Sequence, residues 1–378
     1  MRIAYTTTFN ANDVHNWSGT PYHMSKAFAD HSTVDYVGSL SRKLPPFFKV
    51  KQVFNKYISN QRDSPRFNIV AAKHYSQQVA KRLEHVPVDA IVSPLINPIA
   101  YLDTKRPLVL WTDALYAALL GFYPAFSSHS AKSVEQGNII TTECLNRCKL
   151  AIFSSDWAAN SALELYGVSR EKVRVVPYGA NIQTYPNHDE IKDIIKRRRT
   201  DVVKLLFLAK SWERKGGDIA VAVAKALHEN GVPVELNIVG YTPKLENKPS
   251  YINLLGFISK QTPEGSARIN ELLLSSHFLI LPSRADACPM VFAEANAFGL
   301  PCLTSYVGGI ATAVKNNING MTFGLDASID IYCEYISDLM HDRTRYDWLA
   351  LSAHHEYESR LNWKTATHQV KKLIAEVA

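Results

Sequence analysis

The chain has 378 residues, 46% of them hydrophobic and 20% charged, with a formal net charge of +7. That length suits two α/β domains, and the composition is that of an ordinary globular protein. The modest basic excess fits an anionic ligand, a membrane surface or nucleic acid and selects none of them, while no apolar run reaches the roughly 18 residues that a membrane-spanning helix needs.

The first residues, Met1-Arg-Ile-Ala-Tyr, run straight into a strand expected over Ile3 to Thr7 and do not read as a signal peptide. A polar loop follows, with Gly19 before Thr20 and Pro21. Thr20 is expected as an N-cap and Pro21 as the first helical residue. Gly19 would let backbone amides approach an anion at that helix start. Val34 to Val37 is the next strand. Residues 42–66 then interleave Arg42, Lys43, Lys49, Lys51, Lys56, Arg62 and Arg66 with Phe47, Phe48, Phe54 and Tyr57. Such a segment fits either a solvated helical hairpin over the sheet or peripheral contact with anionic lipid.

Ala90 to Ser93 and Leu108 to Trp111 read as short buried strands, the second delivering Asp113 at its carboxyl end. Leu150 to Ser154 is another strand, followed by a helix that ends near Gly167, and Val173 to Val176 is the next. The alternation implies a parallel sheet with right-handed crossovers. Of the five cysteines, Cys144 and Cys148 share a helix face without His or Cys neighbours at metal-binding spacing. Reduced, mostly buried thiols and a cytoplasmic setting are expected.

Residues 185–201, with the run Lys196-Arg-Arg-Arg199, break the alternation, and the domain boundary is expected there as a solvated linker helix. The pattern then restarts. Strands are expected at Lys204 to Ala209, Val234 to Val239, Ile252 to Leu255 and His277 to Leu281, and again at Cys302 to Thr304. Lys210 and Lys215 follow the first of these, with Gly216-Gly217 beside them expected to let a ligand come close to the backbone. Pro289 opens a helix over Met290 to Phe298 that Gly299 stops, and Asp286 and Glu294 bracket that turn. Two lysines and a helix N-terminus match a diphosphate, and the two carboxylates suit sugar and ribose hydroxyls, so a nucleotide-sugar is the expected ligand. Nicotinamide, flavin and P-loop fingerprints are missing, as are His-Glu-x-x-His and Gly-x-Ser-x-Gly. No Asp-x-Asp occurs, so metal independence is expected.

Asp286-x7-Glu294, flanked by Leu281-Pro-Ser and Ala295-Asn-Ala-Phe-Gly-Leu-Pro301, resembles the Glu-x7-Glu motif of the retaining family 4 glycosyltransferases, the glycosyl transferases of group 1. Gly308-Gly309-Ile310, Asn319-Gly320 and Val173 to Gly179 are similar to that family's turns and closing strand. The resemblance is specific over residues 150–325 and weaker before them.

It implies a GT-B fold: two Rossmann-like, doubly wound parallel-sheet domains facing a deep interdomain cleft. An acceptor domain would span 1–184 with the last helix, 361–378, and a donor domain 185–360. It further implies that Lys210 and Lys215 bind the donor diphosphate, with Gly19 and Thr20 closing on it. Glu294 would hold the ribose and Asp286 the sugar. Backbone amides from Cys288 through Pro289 and Met290 to Val291 would hold the sugar or phosphate, and Phe257 would lie near the base. Asp113 stands where many members carry a catalytic His, Asp286 and Lys210 replace Glu and Arg, and Ala311-Thr312 replaces Pro-Glu. The implied reaction moves a hexose-type sugar onto a glycan or lipid-linked acceptor in polysaccharide biosynthesis, without a cofactor, in the cytoplasm or at the inner membrane face. A catalytically silent nucleotide-sugar-binding subunit and a transferase acting on modified nucleic acid are the alternatives.

Overall fold

The computed structural model describes residues 1–48, 52, 63–244 and 247–377. The chain divides into two compact units, Met1–Pro177 with the segment from Trp363, and Tyr178–Asn362. Each is built on a six-stranded sheet.

In the first unit the strands are β1 (Arg2–Thr6), β2 (Thr33–Val37), β3 (Ala90–Ser93), β4 (Leu108–Thr112), β5 (Leu150–Phe153) and β6 (Val173–Val175), in the order β2-β1-β3-β4-β5-β6. All of the pairings are parallel. β3, β4 and β5 are buried along their whole length. Helices on both faces demand that, and it is why these strands read as unbroken apolar runs. The last helix, Trp363–Ala375, belongs to this unit: the Trp363 ring meets Trp111 edge-on at 5.8 Å, and Thr367 hydrogen-bonds His31 at 3.0 Å.

The second unit repeats the plan with β7 (Val203–Leu208), β8 (Val234–Val239), β9 (Ile252–Gly256), β10 (Phe278–Leu281), β11 (Cys302–Ser305) and β12 (Gly320–Phe323), ordered β12-β11-β10-β7-β8-β9. From β7 the chain winds outward through β8 to β9. It then returns to β10 beside β7 and winds outward the other way. The strand order therefore reverses between β7 and β10, the position where open α/β sheets leave a crevice at their carboxyl ends.

Residues 185–201 hold the expected helix, but one face of it is buried rather than solvated. Asn187 and Glu190 form a capping box that opens the helix His188–Arg197, and Ile191 and Ile195, one turn apart, are buried. Arg198, inside the basic run, is only 4% exposed. Its guanidinium donates to the carbonyls of Phe298 (2.8 Å), Gly299 (2.8 Å) and Leu274 (3.2 Å) and to the Tyr346 hydroxyl (2.9 Å). The division between units also falls earlier than 184/185, because Ala180 lies in the second core and its amide donates to the Leu361 carbonyl at 3.0 Å. Of segment 42–66, Lys49, Lys51, Phe54, Lys56, Tyr57 and Arg62 lie outside the described residues, so its expected membrane role does too. Among the described residues, no helix is long and apolar enough to cross a membrane. Cys144 and Cys148 are buried free thiols with sulfurs 3.9 Å apart, and burial pushes the Cys144 thiol up.

Two stability predictions follow from buried polar groups. Replacing Arg198 with Met strands three carbonyls, so the second unit should lose on the order of 3 kcal/mol, read from its denaturant midpoint. His277 is fully buried, accepts from the Lys204 amide at Nδ1 and bonds the Arg199 carbonyl through Nε2, and burial lowers its pKa to about 4. The unfolded imidazole takes a proton first, so this contribution is complete above about pH 6.5 and fades as pH falls towards 4. Between about pH 7.5 and pH 5 the loss should be roughly 2 kcal/mol, and His277→Asn should flatten that dependence.

Candidate functional site

Phe257 follows β9, and the other expected second-unit residues follow β7 (Lys210 and Lys215) and β10 (Asp286, Cys288 to Val291 and Glu294). β7 and β10 pair directly, Phe278 with Leu205 and Leu279 with Leu206, so the loops that leave their carboxyl ends are neighbours. Those loops are laced together by backbone. The Arg284 amide donates to the Arg214 carbonyl at 2.8 Å, and the Arg214 guanidinium donates to the Ala285 carbonyl at 2.9 Å. Arg284 also grips Asp218 with two hydrogen bonds of 2.8 and 2.6 Å. A third loop joins through the Gly309 amide, which donates to the Asp286 carbonyl at 3.0 Å. The double-glycine turn seen in the sequence is thus tied to the first motif acid.

Gly216 and Gly217 were expected to let a ligand approach the backbone. In the structure the protein itself makes that approach. A Cβ at Gly216, whose φ is +70°, would stand 2.0 Å from the Pro282 carbonyl oxygen, and one at Gly217 would stand 2.2 Å from the Trp212 ring. Glycine here lets the β7 loop close against the β10 loop.

The charged side chains satisfy one another. Lys215 and Asp286, 9% and 6% exposed, form a buried ion pair, and the Arg214 guanidinium lies 3.7 Å from the same carboxylate. Glu294, 4% exposed on the Met290–Ala297 helix, pairs with Lys260 from the loop after β9. Lys210 is exposed and holds its ammonium 4.5 Å from the centre of the Phe257 ring, a cation–π contact. Pro289 occupies the N-cap of the helix rather than its first position. Cys288, Met290 and Val291 are half-buried around that N-terminus, whose orphan amides and positive dipole end favour anions. The arrangement offers cations, backbone donors and two carboxylates on the loops that leave the carboxyl ends of β7, β9 and β10. Arg214, Lys260, Asp218 and Arg284 were not singled out in the sequence. Arg214 had a signal, since it adjoins Lys215, but Lys260 reaches Glu294 only through the fold.

Gly19, Thr20 and Asp113 belong to the first unit. Gly19, not Thr20, is the N-cap of the Thr20–Ala29 helix, with φ +83°. Trp17 and Ser18 before it are also left-handed, at φ 46° and 55°. Positive φ at two side-chain-bearing residues marks a strained first βα turn. Thr20 is buried, and Asp113 is half-buried just past β4, where its charge acts on Arg66.

Residues 189–356, all within the second unit, match the family model described as glycosyl transferases group 1. A D-inositol 3-phosphate glycosyltransferase of Nocardia farcinica is 26% identical over 206 residues, 52% of this chain and 46% of that protein. An Escherichia coli UDP-Gal:alpha-D-GlcNAc-diphosphoundecaprenol alpha-1,3-galactosyltransferase is 24% identical over 238 residues, 58% of each. The chain spans about half the length of the curated relatives it matches. Among solved structures, the sucrose-phosphate synthase of Thermosynechococcus elongatus superposes with a TM-score of 0.67 at 15% identity, covering 100% of this chain and 98% of that one. The fold is that of the GT-B glycosyltransferases.

The Lys215–Asp286 pair makes a clean stability test. Lys215→Met alone leaves a buried carboxylate with Arg214 as its one ion-pair partner among the described residues and should cost about 3 kcal/mol. Adding Asp286→Asn should recover much of that loss, read from paired denaturation curves.

Proposed function

We propose that the chain is a glycosyltransferase that takes a hexose-type sugar from a nucleotide-diphosphate donor and places it on a hydroxyl of a glycan or lipid-linked acceptor. One observation carries this reading: Lys210 and Lys215 follow β7 and Asp286 and Glu294 follow β10, the two strands at the strand-order reversal of the unit that matches the glycosyl transferases group 1 model, and Lys215 pairs with Asp286. The Escherichia coli relative, whose name specifies a UDP-sugar and a lipid diphosphate acceptor, supports both substrate classes.

In this reading Lys210 and Lys215 neutralise the diphosphate, aided by the amides from Cys288 to Val291 at the helix start. The diphosphate competes with Asp286 for Lys215, which frees the Asp286 carboxylate to accept from the donor sugar. Glu294 accepts from the ribose hydroxyls, and Lys260 holds it in place. Phe257, 62% exposed, offers a ring to the base. Transfer proceeds with retention and without a metal: as the sugar–phosphate bond breaks, the leaving diphosphate accepts the acceptor's proton on the same face. Charge growing on the leaving group is what the two lysines stabilise. Gly19, Thr20 and Asp113 keep their expected donor-side roles, to be tested by separate substitutions, and anionic vesicles test the proposed membrane contact of 42–66.

A panel of UDP-, GDP- and ADP-sugars should contain one that raises the melting temperature, by about 2.7 kcal/mol of stabilisation at a hundredfold excess over Kd. Glu294→Ala should weaken that donor about 10- to 100-fold. Unchanged donor affinity with full transfer in that variant would remove Glu294 from the site. Tight binding with neither transfer nor donor hydrolysis would support the silent binding subunit, and retention on duplex DNA at physiological salt would support the nucleic-acid reading.

A further inference from the structure

The second unit carries a cluster that the donor chemistry does not use. His188 opens the His188–Arg197 helix, and His354 and Glu358 lie one turn apart on the Arg343–Ser359 helix. One ligand atom from each of the three falls within 4.8 Å of the others.

His354 is the informative member. Its ring is fully buried, and Nδ1 bonds the Ala297 carbonyl at 3.0 Å. That bond assigns the proton to Nδ1 and leaves the Nε2 lone pair facing outward along the helix, as in imidazoles oriented for a metal by a backbone carbonyl. Nε2 is buried and has no hydrogen-bond partner in standard geometry among the described residues. What it faces is the Glu358 carboxylate, with Oε1 at 3.5 Å. Burial pushes the His354 imidazole below its usual range, against the opposing pull of Glu358 and Ala297. Glu358 turns its other oxygen towards His188, whose Nδ1 lies 3.7 Å away.

We propose that His188, His354 and Glu358 bind a divalent transition-metal ion of the zinc class. Two imidazoles and a carboxylate are the donor set that zinc prefers, and they suit magnesium or calcium poorly. Tetrahedral bonds of about 2.0–2.2 Å put ligand atoms roughly 3.3–3.5 Å apart. The spacings of 3.5 and 3.7 Å stand close to that, and His188, with a side chain 48% exposed, can rotate to close the widest gap. Glu358, at 40% exposure, leaves the fourth position open to water. The ion would brace the first helix of the unit against the Arg343–Ser359 helix. Through His354 it would also fix the carboxyl end of the Met290–Ala297 helix. It is separate from the diphosphate and ties the two helices together.

Tag-free protein is stripped with a chelator and titrated with Zn2+ at about pH 7.5 by calorimetry and thermal shift. One equivalent should bind and raise the melting temperature, and Mg2+ at the same concentration should do neither. His188→Ala and Glu358→Gln, both at exposed positions, should each fold and each weaken Zn2+ binding at least about 10-fold. His354→Gln should abolish it, but its burial makes the two exposed variants the deciding ones. Wild-type affinity in His188→Ala, or equal response to Mg2+, overturns the proposal.

Discussion

The direct pairing of β7 with β10 is the constraint on which the second unit depends. Winding outward in both directions from that pair sends successive connections to opposite faces of the sheet. The two loops that leave the central pair are consequently left side by side, with no crossover helix between them. The contacts between those two loops follow from this adjacency: Lys215 meets Asp286, the Arg214 guanidinium meets the Ala285 carbonyl, and the Arg284 backbone amide meets the Arg214 carbonyl. A glycine at 216 lets the loops touch at Pro282, and no larger residue would fit. Sheet topology decides where the site lies, and small local choices decide how tightly it is drawn together.

The helix that carries Glu294 shows a second level of this design. It has only eight residues, too few to be stable alone. Its amino end abuts the site, while its carboxyl end is held by outside groups. Arg198 donates to the carbonyls of Phe298 and Gly299, and His354 bonds that of Ala297. A cation at a helix carboxyl end is favourable for the dipole as well as for the orphan carbonyls. Tyr346 hydrogen-bonds both Arg198 and the His277 carbonyl, which links this clamp to the start of β10. The position of Glu294 therefore rests on residues scattered from 198 to 354.

That scatter explains what the sequence disclosed. Strands β3, β5 and β10 were legible because burial on both faces leaves continuous apolar runs, and the glycine and proline stops around 289–301 marked the helix between β10 and β11. Lys210, Lys215, Asp286 and Glu294 were legible through motif spacing. The basic run at 196–199 misled, since a charge run says nothing about which member turns inward. Arg198 does so because Ile191 and Ile195 bury their helix against the Arg343–Ser359 helix and carry the next residue over the carbonyls at 298–299. Lys260 and the pairing of His188 with Glu358 were equally invisible, being contacts between elements far apart in the chain.

The polar groups of the crevice are neutralised by one another, and this shapes what can bind there. Buried carboxylates without partners would be costly, so Asp286 takes Lys215 and Glu294 takes Lys260. A ligand that brings only an anion gains Lys215 but strands Asp286, and one that brings only hydroxyls finds both carboxylates occupied. A molecule with an anionic group next to hydroxyls on either side can exchange every partner at once, leaving no buried group unpaired. Discrimination of this kind comes from the penalty on incomplete ligands rather than from extra attraction to the complete one. Asp286 lies within ion-pair reach of both Lys215 and Arg214, so in the proposed exchange the carboxylate that gives up Lys215 would keep Arg214 beside it.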